Sequence, residues 1–228
     1  MPTYVKTILC LANSYKMSGR CLAGVERQPD GALNWIRPVS AREHGEVSEQ
    51  ERMYPNGRDP QVGDILDVPF LRPARHGFQT ENHLLDPKRH WGFRAKATPQ
   101  QIAGCIDRSG RPLWRNDGSS SRGRNDRVRE VLASPTEGSL RLIEVGDLEA
   151  RVALERSSYA STRKVRGAFT YAGRQHLLGI TDPLLRRRLL AEPDGSHTIG
   201  RAFLCVSLGE PMGGFAYKLI AAVIAPAN

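Results

Sequence analysis

Two halves of the chain show the same order of apolar and polar segments. In the first half, three strand-like segments read TYVKTILCLA, RCLAGVER and LNWIRPVS, followed by a helical stretch at residues 46–54 and the strand DILDVPFL. From about residue 139 the order recurs as LRLIEV and ARVALE, then VRGAFTYA and RQHLLGI, a helix after Asp182, and finally RAFLCVSL and FAYKLIAAVI. The same order of elements in both halves indicates a duplicated unit.

Three strands, a short helix and two further strands form the element order of a small Greek-key barrel of the OB type. The fifth strand of the first half is expected between Phe78 and Leu85. The sequence therefore predicts a mainly β fold with short helices, built from two OB-like Greek-key barrels with the order β-β-β-α-β-β in each. The expected domains are residues 1–135, with a basic, histidine-containing insertion at about 72–125, and residues 136–228.

The sequence between these strands contains several turn and helix signals. Pro29-Asp30-Gly31 predicts a turn, because proline presets φ and glycine accepts positive φ. Thr98 before Pro99, and Asp182 before Pro183, predict helix starts, and Asp126 is expected to begin a short helix that runs through Ala133. Residues 117–125, DGSSSRGRN, are typical of a flexible surface segment or of one that orders on a partner.

Length and composition limit the class of protein. The chain has 228 residues, of which 39% are hydrophobic and 25% charged, which fits two small folded domains and argues against a globally disordered chain. It has no apolar run of about 20 residues and no secretory-signal layout at its start. We therefore expect a cytoplasmic protein without a membrane partner.

The charge balance favours an anionic ligand. The formal net charge is +9, and arginine outnumbers lysine by 27 to 6. The planar guanidinium group binds phosphate bidentately and stacks on bases, which suits nucleic acid. A genome-wide preference for arginine explains the same bias equally well, so the charge supports a nucleic-acid partner without establishing one.

The cysteines give no sign of a metal or cofactor site. Cys10, Cys21, Cys105 and Cys205 are widely spaced, and no CxxC pair is present. Three of them lie within apolar strand patterns, where a reduced cysteine behaves as a small hydrophobe. We expect no cofactor and no bound metal.

The motifs at the two ends of the chain resemble a known family. The segments TILCLANSYKMSGRCLAG and NWIRPVS at the start, and GITDP and FLCVSLGEPMGGFAYKLIAAVI at the end, are similar to those of the bacterial dual OB-domain proteins. The resemblance spans most of the chain except residues 72–125. It implies two OB barrels, nucleic-acid binding and an association with anti-phage or other conflict genes.

The first candidate site combines a loop with the third strand. In an OB barrel the first loop overhangs the face formed by strands two and three, where aromatic side chains stack bases and cations hold phosphates. If Ile36 is in the core, alternation turns Trp35 and Arg37 outward. The alternative is that Trp35 packs under a loop and Arg37 is a solvated charge. The candidate residues are Asn13, Tyr15, Lys16, Arg20, Trp35 and Arg37.

The second candidate site is the corresponding face of the second barrel. Basic residues and one tyrosine lie on and around its second and third strands, although such a charge run is also typical of an ordinary solvated surface. The candidate residues are Arg163, Lys164, Arg166, Tyr171 and Arg174.

Two further motifs suggest enzymes, but only weakly. His76, His83 and His90 recur every seven residues with acidic residues between them, a mixture capable of metal binding or acid–base chemistry, although the i, i+4 spacing of a helical metal motif is missing. The glycine-rich residues 209–214 lack the Lys-Ser/Thr of a phosphate-binding loop and precede a strand, which predicts a hairpin turn.

These observations together predict a nucleic-acid-binding protein for single-stranded or structured DNA or RNA. The family resemblance adds the expectation that it is the recognition component of a bacterial defence or conflict system, with a possible protein partner. Two alternatives remain open: a non-catalytic adaptor that recruits a protein through its sheet edges, and a nucleotide-processing or nuclease enzyme that uses residues 76–90.

Overall fold

A computed structural model describes residues 3–115, 118–134, 137–156 and 161–226. The chain forms two compact units, residues 1–106 with 138–140 and residues 107–137 with 141–228. The sequence instead predicts domains of residues 1–135 and 136–228, which differ from these units in the place of residues 107–135. Their place in the second unit follows from strand pairing, because Arg127–Arg129 is hydrogen-bonded to the last strand of the chain.

The first unit is a closed barrel. Its elements are β1 Tyr4–Lys16, β2 Gly19–Arg27, β3 Leu33–Val39, α1 Glu49–Arg52, β4 Asp64–Pro73, β5 Asn82–Leu85, β6 Gly92–Lys96 and α2 Pro99–Ala103. The pairings β1–β2, β2–β3, β3–β5, β5–β4 and β4–β1 close five strands, with β3 and β5 parallel, and β6 extends the edge of β4. This is the Greek-key order of an OB barrel with the helix after the third strand, as predicted.

The core of this barrel comes from the inward faces of its strands. Ile8 of β1, Leu22 of β2, Ile36 of β3 and Leu66 of β4 are all almost fully buried. Ser48 closes the start of α1 with a capping box, in which its hydroxyl accepts a hydrogen bond from the Glu51 amide and its own amide donates to the Glu51 carboxylate. The helix lasts only one turn, shorter than the predicted span of residues 46–54.

The second unit repeats the same barrel. Its elements are β7 Arg127–Arg129, a 3₁₀ turn at Glu130–Leu132, β8 Leu140–Arg156, β9 Ser161–Tyr171, β10 Arg174–Ile180, α3 Pro183–Leu190, β11 Gly195–Leu208 and β12 Phe215–Ile224. The strand order is β10-β9-β8-β11-β12, and a parallel pairing of β10 with β12 closes the ring. The duplicated architecture predicted from the sequence is confirmed.

The helix of the second barrel forms where the sequence predicts it. The Asp182 carboxylate accepts hydrogen bonds from the amides of Leu184 and Leu185, and Pro183 occupies the first turn. Leu185 and Leu189 are buried on one face. Residues 209–214 join β11 and β12 as the expected hairpin turn, with a backbone bond from Met212 to Phe215.

Two local predictions are wrong. Asp126 does not begin a helix, because its carboxylate accepts hydrogen bonds from the amide and hydroxyl of Ser120, and a strand follows. The loop expected to carry Asn13, Tyr15, Lys16 and Arg20 is mostly strand, since β1 and β2 are separated only by Met17 and Ser18. Met17 takes the left-handed backbone conformation at this turn, with φ of 48°.

Candidate nucleic-acid interface

The second barrel presents a charged outer face on β8 and β9. Val152 and Val165 are paired across the two strands and point into the barrel, where both are buried. The neighbouring pairs therefore point outward, and they place Arg151 directly opposite Arg166 and Ala153 opposite Lys164. Regular alternation on two paired strands thus brings three cations together on one surface.

Residues 121–124 form a side wall over this face. The backbone of Arg124 exchanges hydrogen bonds of 3.2 and 3.0 Å with Leu177 of β10, and the Asn125 side chain donates to the Gln175 carbonyl at 2.8 Å. The stretch that looks most loop-like in the sequence is therefore anchored to the edge of a strand. It adds Arg122 and Arg124 to the charged face.

The wall and the outer face enclose a groove with two chambers. The wide chamber has a volume of about 780 Å³ and lies toward Asp147, Thr170 and Gln175. The basic chamber has a volume of about 480 Å³ and lies toward Arg156 and Lys164. The two chambers share Arg122, Arg151 and Leu177 in their lining, so they are adjacent, and we refer to them together as the groove.

Ion pairs orient the arginines in this groove. Arg166 donates two hydrogen bonds to Glu155, at 2.7 and 3.2 Å, and Arg151 donates to Glu149 at 2.7 Å. These guanidinium groups hold the pKa values of Glu155 and Glu149 below the usual range for glutamate, so both carboxylates are ionised at neutral pH. Arg122 crosses the groove, donating to the Arg156 carbonyl and lying 3.5 Å from Glu155.

Lys164 and Arg166 are the two predicted residues that line this groove. Lys164 is exposed at its basic end, and its charge contributes to the lowered pKa of Glu155. Arg163 instead holds the end of α3, where its guanidinium donates to the carbonyls of Leu190 and Glu192 and pairs with an aspartate.

Tyr171 and Arg174 face each other at the turn between β9 and β10. Tyr171 is half-buried, and burial raises the pKa of its hydroxyl, whereas Arg174 is exposed. Neither is among the described residues that line the two chambers.

In the first barrel, Arg37 does not face solvent as predicted. Its guanidinium is 4% exposed and lies 3.2 Å from the Glu81 carboxylate, and it donates a 2.8 Å hydrogen bond to the Ser139 hydroxyl. The prediction that the Arg37 side chain faces outward is therefore wrong. A buried charge needs a charged partner, and Glu81 provides it.

The remaining first-barrel candidates divide between structural and exposed positions. Ile36 is in the core as expected, and Trp35 is half-buried on the other face of β3, where it pairs with Val25 of β2. Asn13 donates to the Pro60 carbonyl at 2.7 Å. Tyr15 is 44% exposed at the end of β1, and the Arg20 guanidinium lies 4.2 Å from its ring centre; Lys16 follows as the last residue of the strand.

The outer face of β1 and β2 is apolar and buried. Leu9 lies opposite Val25, and Ala12 lies opposite Ala23 after a bulge in β1. All four residues are at most 9% exposed in the folded chain. The face that carries charge in the second barrel therefore offers no exposed platform in the first.

The three histidines of residues 76–90 occupy different environments. His76 forms a tight turn with Gln79 and is exposed, as is His90. The Nδ1 atom of His83 lies 2.6 Å from the Tyr4 hydroxyl, and burial lowers the pKa of His83 to about 4. No group of three or more potential metal ligands is found in the described part of the chain.

All four cysteines are free. Burial raises the pKa of the Cys10 thiol to about 12, so it behaves as a core residue rather than as a nucleophile. Cys10 and Cys21 do not face each other, because Cys10 is paired with Gly24 and Cys21 with Ser14.

Several residues of the groove are not among those predicted from the sequence. Arg151 and Arg156 lie on β8, and Arg122 and Arg124 lie on the wall. The alternation in ARVALER carries a signal for Arg151, because it places this side chain on the face opposite Val152. The two wall arginines have no such periodicity, and only the pairing of Arg124 with Leu177 brings them to the groove.

Comparison with known proteins identifies the family. A sequence profile of the dual OB-containing domain matches residues 6–223. The chain therefore belongs to the dual OB-containing domain family. A search of curated proteins found no match. Within the described residues, no helix is long and apolar enough to span a membrane.

Proposed function

We propose that this dual OB-containing protein binds single-stranded or structured nucleic acid along the groove of its second barrel. The observation that carries the proposal is the lining of the groove. Six cations and three carboxylates line it; the cations are Arg122, Arg124, Arg151, Arg156, Lys164 and Arg166, and the carboxylates are Asp147, Glu149 and Glu155. OB barrels commonly bind oligonucleotides on the face formed by their second and third strands, which are β9 and β10 here and form part of the floor of the groove.

The groove supports binding through charge rather than through an aromatic platform. Phe169 is the one phenylalanine, tyrosine or tryptophan among the described residues that line the two chambers, and it is only 5% exposed. Arginine guanidinium groups replace such rings as stacking partners in many complexes with RNA and single strands. In this proposal, Arg151, Lys164 and Arg166 neutralise phosphates and release counterions, while Arg124 stacks on or hydrogen-bonds to bases.

The dimensions of the floor favour one strand over a duplex. The floor consists of β8, β9 and β10, and neighbouring strands in a sheet are about 4.8 Å apart, so it is about 10 Å wide. One strand with its bases splayed open fits this width. The hairpin tip of the first barrel, with Tyr15, Lys16 and Arg20, is a secondary contact in the same proposal, since Tyr15 is exposed there.

The biological role in this proposal follows the family resemblance. The protein acts as the recognition component of a bacterial defence or conflict system, and a partner protein carries out the response. An enzyme centred on residues 76–90 has less support, because His83 is hydrogen-bonded to Tyr4 and the other two histidines are exposed at separate turns.

A binding panel tests the proposal. Labelled single-stranded, duplex and hairpin forms of DNA and RNA are titrated with the protein, and binding is followed by fluorescence anisotropy. We expect single strands and hairpin loops to bind more tightly than the duplex. We also expect Lys164→Ala to weaken that binding about 5- to 10-fold, as loss of one charge-assisted phosphate contact predicts.

Lys88→Ala is the matched control, because Lys88 is an exposed lysine in a turn of the first barrel. It should leave the affinity unchanged. Binding of no nucleic acid, or equal losses in the two lysine variants, would contradict the proposal.

A further inference from the structure

Charge is distributed unequally along the groove. The basic chamber is lined by five cations and by Glu155 as the one carboxylate among the described lining residues. The wide chamber is lined by three arginines and two carboxylates, Asp147 and Glu149. A polymer with evenly spaced charges does not require such an asymmetry, so the groove is suited to a ligand with concentrated negative charge at one end.

The basic chamber also contains a juxtaposition of like charges. Arg151 and Arg166 are directly opposite each other on paired strands, an arrangement that destabilises a sheet. Lys164 is the next outward residue along β9 and lies only two positions from Arg166. Glu155 pairs with Arg166 and Glu149 pairs with Arg151, which offsets two of the five cations that line the chamber. A bound dianion would offset the remaining charge.

The wide chamber offers hydrogen-bonding groups of both kinds instead. Ser121, Thr170 and Gln175 line it together with its two carboxylates. Carboxylates accept hydrogen bonds from the exocyclic amines of bases, and hydroxyl and amide groups bind base edges and sugar hydroxyls. Its volume of about 780 Å³ lies within the range of small-ligand sites.

We infer that the groove binds a phosphorylated nucleotide end, with the phosphomonoester in the basic chamber and its nucleoside in the wide chamber. This inference rests on the proposed function and specifies its ligand. A phosphomonoester carries between one and two negative charges at neutral pH, whereas a phosphodiester within a strand carries one. The cation cluster therefore binds a terminal phosphate more strongly than an internal one.

The test compares oligonucleotides of one sequence that differ only at their ends. A 5′-phosphorylated strand, a 3′-phosphorylated strand and a strand with two hydroxyl ends are titrated in competition, together with the free 5′- and 3′-mononucleotides and the nucleoside. We expect one phosphorylated strand to bind about 10-fold more tightly than the hydroxyl-ended strand. Equal affinity of all three strands would overturn the inference, while leaving the proposed function intact.

The mononucleotides distinguish the two possible ligands that carry a phosphomonoester, which are free nucleotides and the ends of strands. Binding of a mononucleotide but not of the nucleoside, with an affinity equal to that of the phosphorylated strand, assigns the groove to free nucleotides. Tighter binding of the strand assigns it to strand ends. Either result supports the inference, whereas equal binding of nucleoside and mononucleotide contradicts it. If no oligonucleotide binds at all, the proposed function itself fails.

Two variants locate the phosphate within the groove. Lys164→Ala, and as a second variant Arg166→Gln, should remove the preference for the phosphorylated end, because both residues line only the basic chamber. Arg124→Ala, which changes only the wide chamber, should lower the affinity of every strand while keeping the preference. Loss of the preference in the Arg124 variant alone would place the phosphate elsewhere and overturn the assignment. Circular dichroism confirms that each variant is folded.

Discussion

The outer face of β1 and β2 in the first barrel and the outer face of β8 and β9 in the second occupy the same place in one topology. In the first barrel this face holds the pairs Leu9 with Val25 and Ala12 with Ala23, and all four residues are buried. In the second barrel, Arg151 faces Arg166 and Ala153 faces Lys164. The duplicated fold thus carries an apolar surface on one copy and a cationic groove on the other.

The two faces therefore have different roles: one contributes to stability, and the other is available for binding. Burying a leucine or valine side chain contributes about 1.5 to 3 kcal/mol, so the outer face of the first barrel adds to the stability of the folded chain. A charged face cannot be buried without a large desolvation cost, so it remains open to an anionic ligand. One barrel acts mainly as a scaffold in this account, and the other presents the site.

The largest expected effect is a pH dependence of stability to which both barrels contribute. His83 lies against Phe70 in the first barrel and His176 lies against Phe169 in the second, and burial lowers the pKa of each histidine to about 4. Below pH 6.5 the unfolded chain binds protons that the folded chain excludes. Each histidine therefore contributes stability above pH 6.5 that is lost as the pH falls toward 4, about 3 kcal/mol per residue.

Urea unfolding at several pH values between 7.5 and 4.5 measures this loss. Replacing His83 or His176 with glutamine should make the free energy of unfolding less dependent on pH, and by similar amounts in the two barrels. A parent protein whose stability stays constant over this range would contradict the assignment of both histidines.

The next effect is the loss of stability when alanine replaces a glycine in the second strand of each barrel. Gly24 of β2 and Gly167 of β9 both face the barrel interior. A Cβ atom on Gly24 would lie 2.4 Å from the carbonyl oxygen of Leu9, whereas one on Gly167 would lie 2.5 Å from the terminal methyl of Ile220. A side-chain end moves more easily than a backbone carbonyl. We therefore expect Gly24→Ala to destabilise the protein by about 3 kcal/mol and Gly167→Ala by about 1 kcal/mol.

Thermal and urea denaturation of the two variants provide the measurement. The reverse order of stability would show that the second barrel is the more tightly packed one. It would remove the distinction between the barrel that acts as a scaffold and the barrel that presents the site.

A smaller effect compares two ion-paired arginines of the second barrel. Arg151 pairs with Glu149 at 2.7 Å inside the groove, and Arg201 pairs with Glu144 at 2.6 Å outside it. Both guanidinium groups are more than half exposed, so each pair contributes little to stability. Arg151→Gln should weaken nucleic-acid binding about 10-fold, while Arg201→Gln should leave it unchanged.

Fluorescence anisotropy measures the affinities, and denaturation confirms that the stabilities match. Equal affinities of the two variants would mean that net charge, rather than the groove, determines binding.

Much of the fold could be predicted because strand alternation and local capping are encoded in neighbouring residues. The helix after Asp182 shows this, since its cap, its first proline and its buried leucines all lie within eight positions. The predictions failed where a distant partner decided the structure. Asp126 looks like a helix cap, but its carboxylate accepts a hydrogen bond from the Ser120 amide, and β7 pairs with β12.

The site was predicted less completely for the same reason. Lys164 and Arg166 could be found because alternation on one strand places both on one face. Arg37 follows the same rule, yet it is buried, because Glu81 and Ser139 approach it from remote parts of the sequence and Ser139 lies 102 positions away. Arg122 and Arg124 belong to a segment without periodicity, and their position depends on a backbone pairing that no sequence pattern indicates.

The most direct test of the central claim is the salt dependence of single-strand binding. The parent protein is compared with the triple variant Arg151→Gln/Lys164→Gln/Arg166→Gln, which removes the three cations on the outer face of β8 and β9. A single strand contributes a slope of about −0.7 in log affinity against log salt for each neutralised phosphate. We predict a steep slope for the parent and a slope shallower by about 2 for the variant; identical slopes would contradict the account.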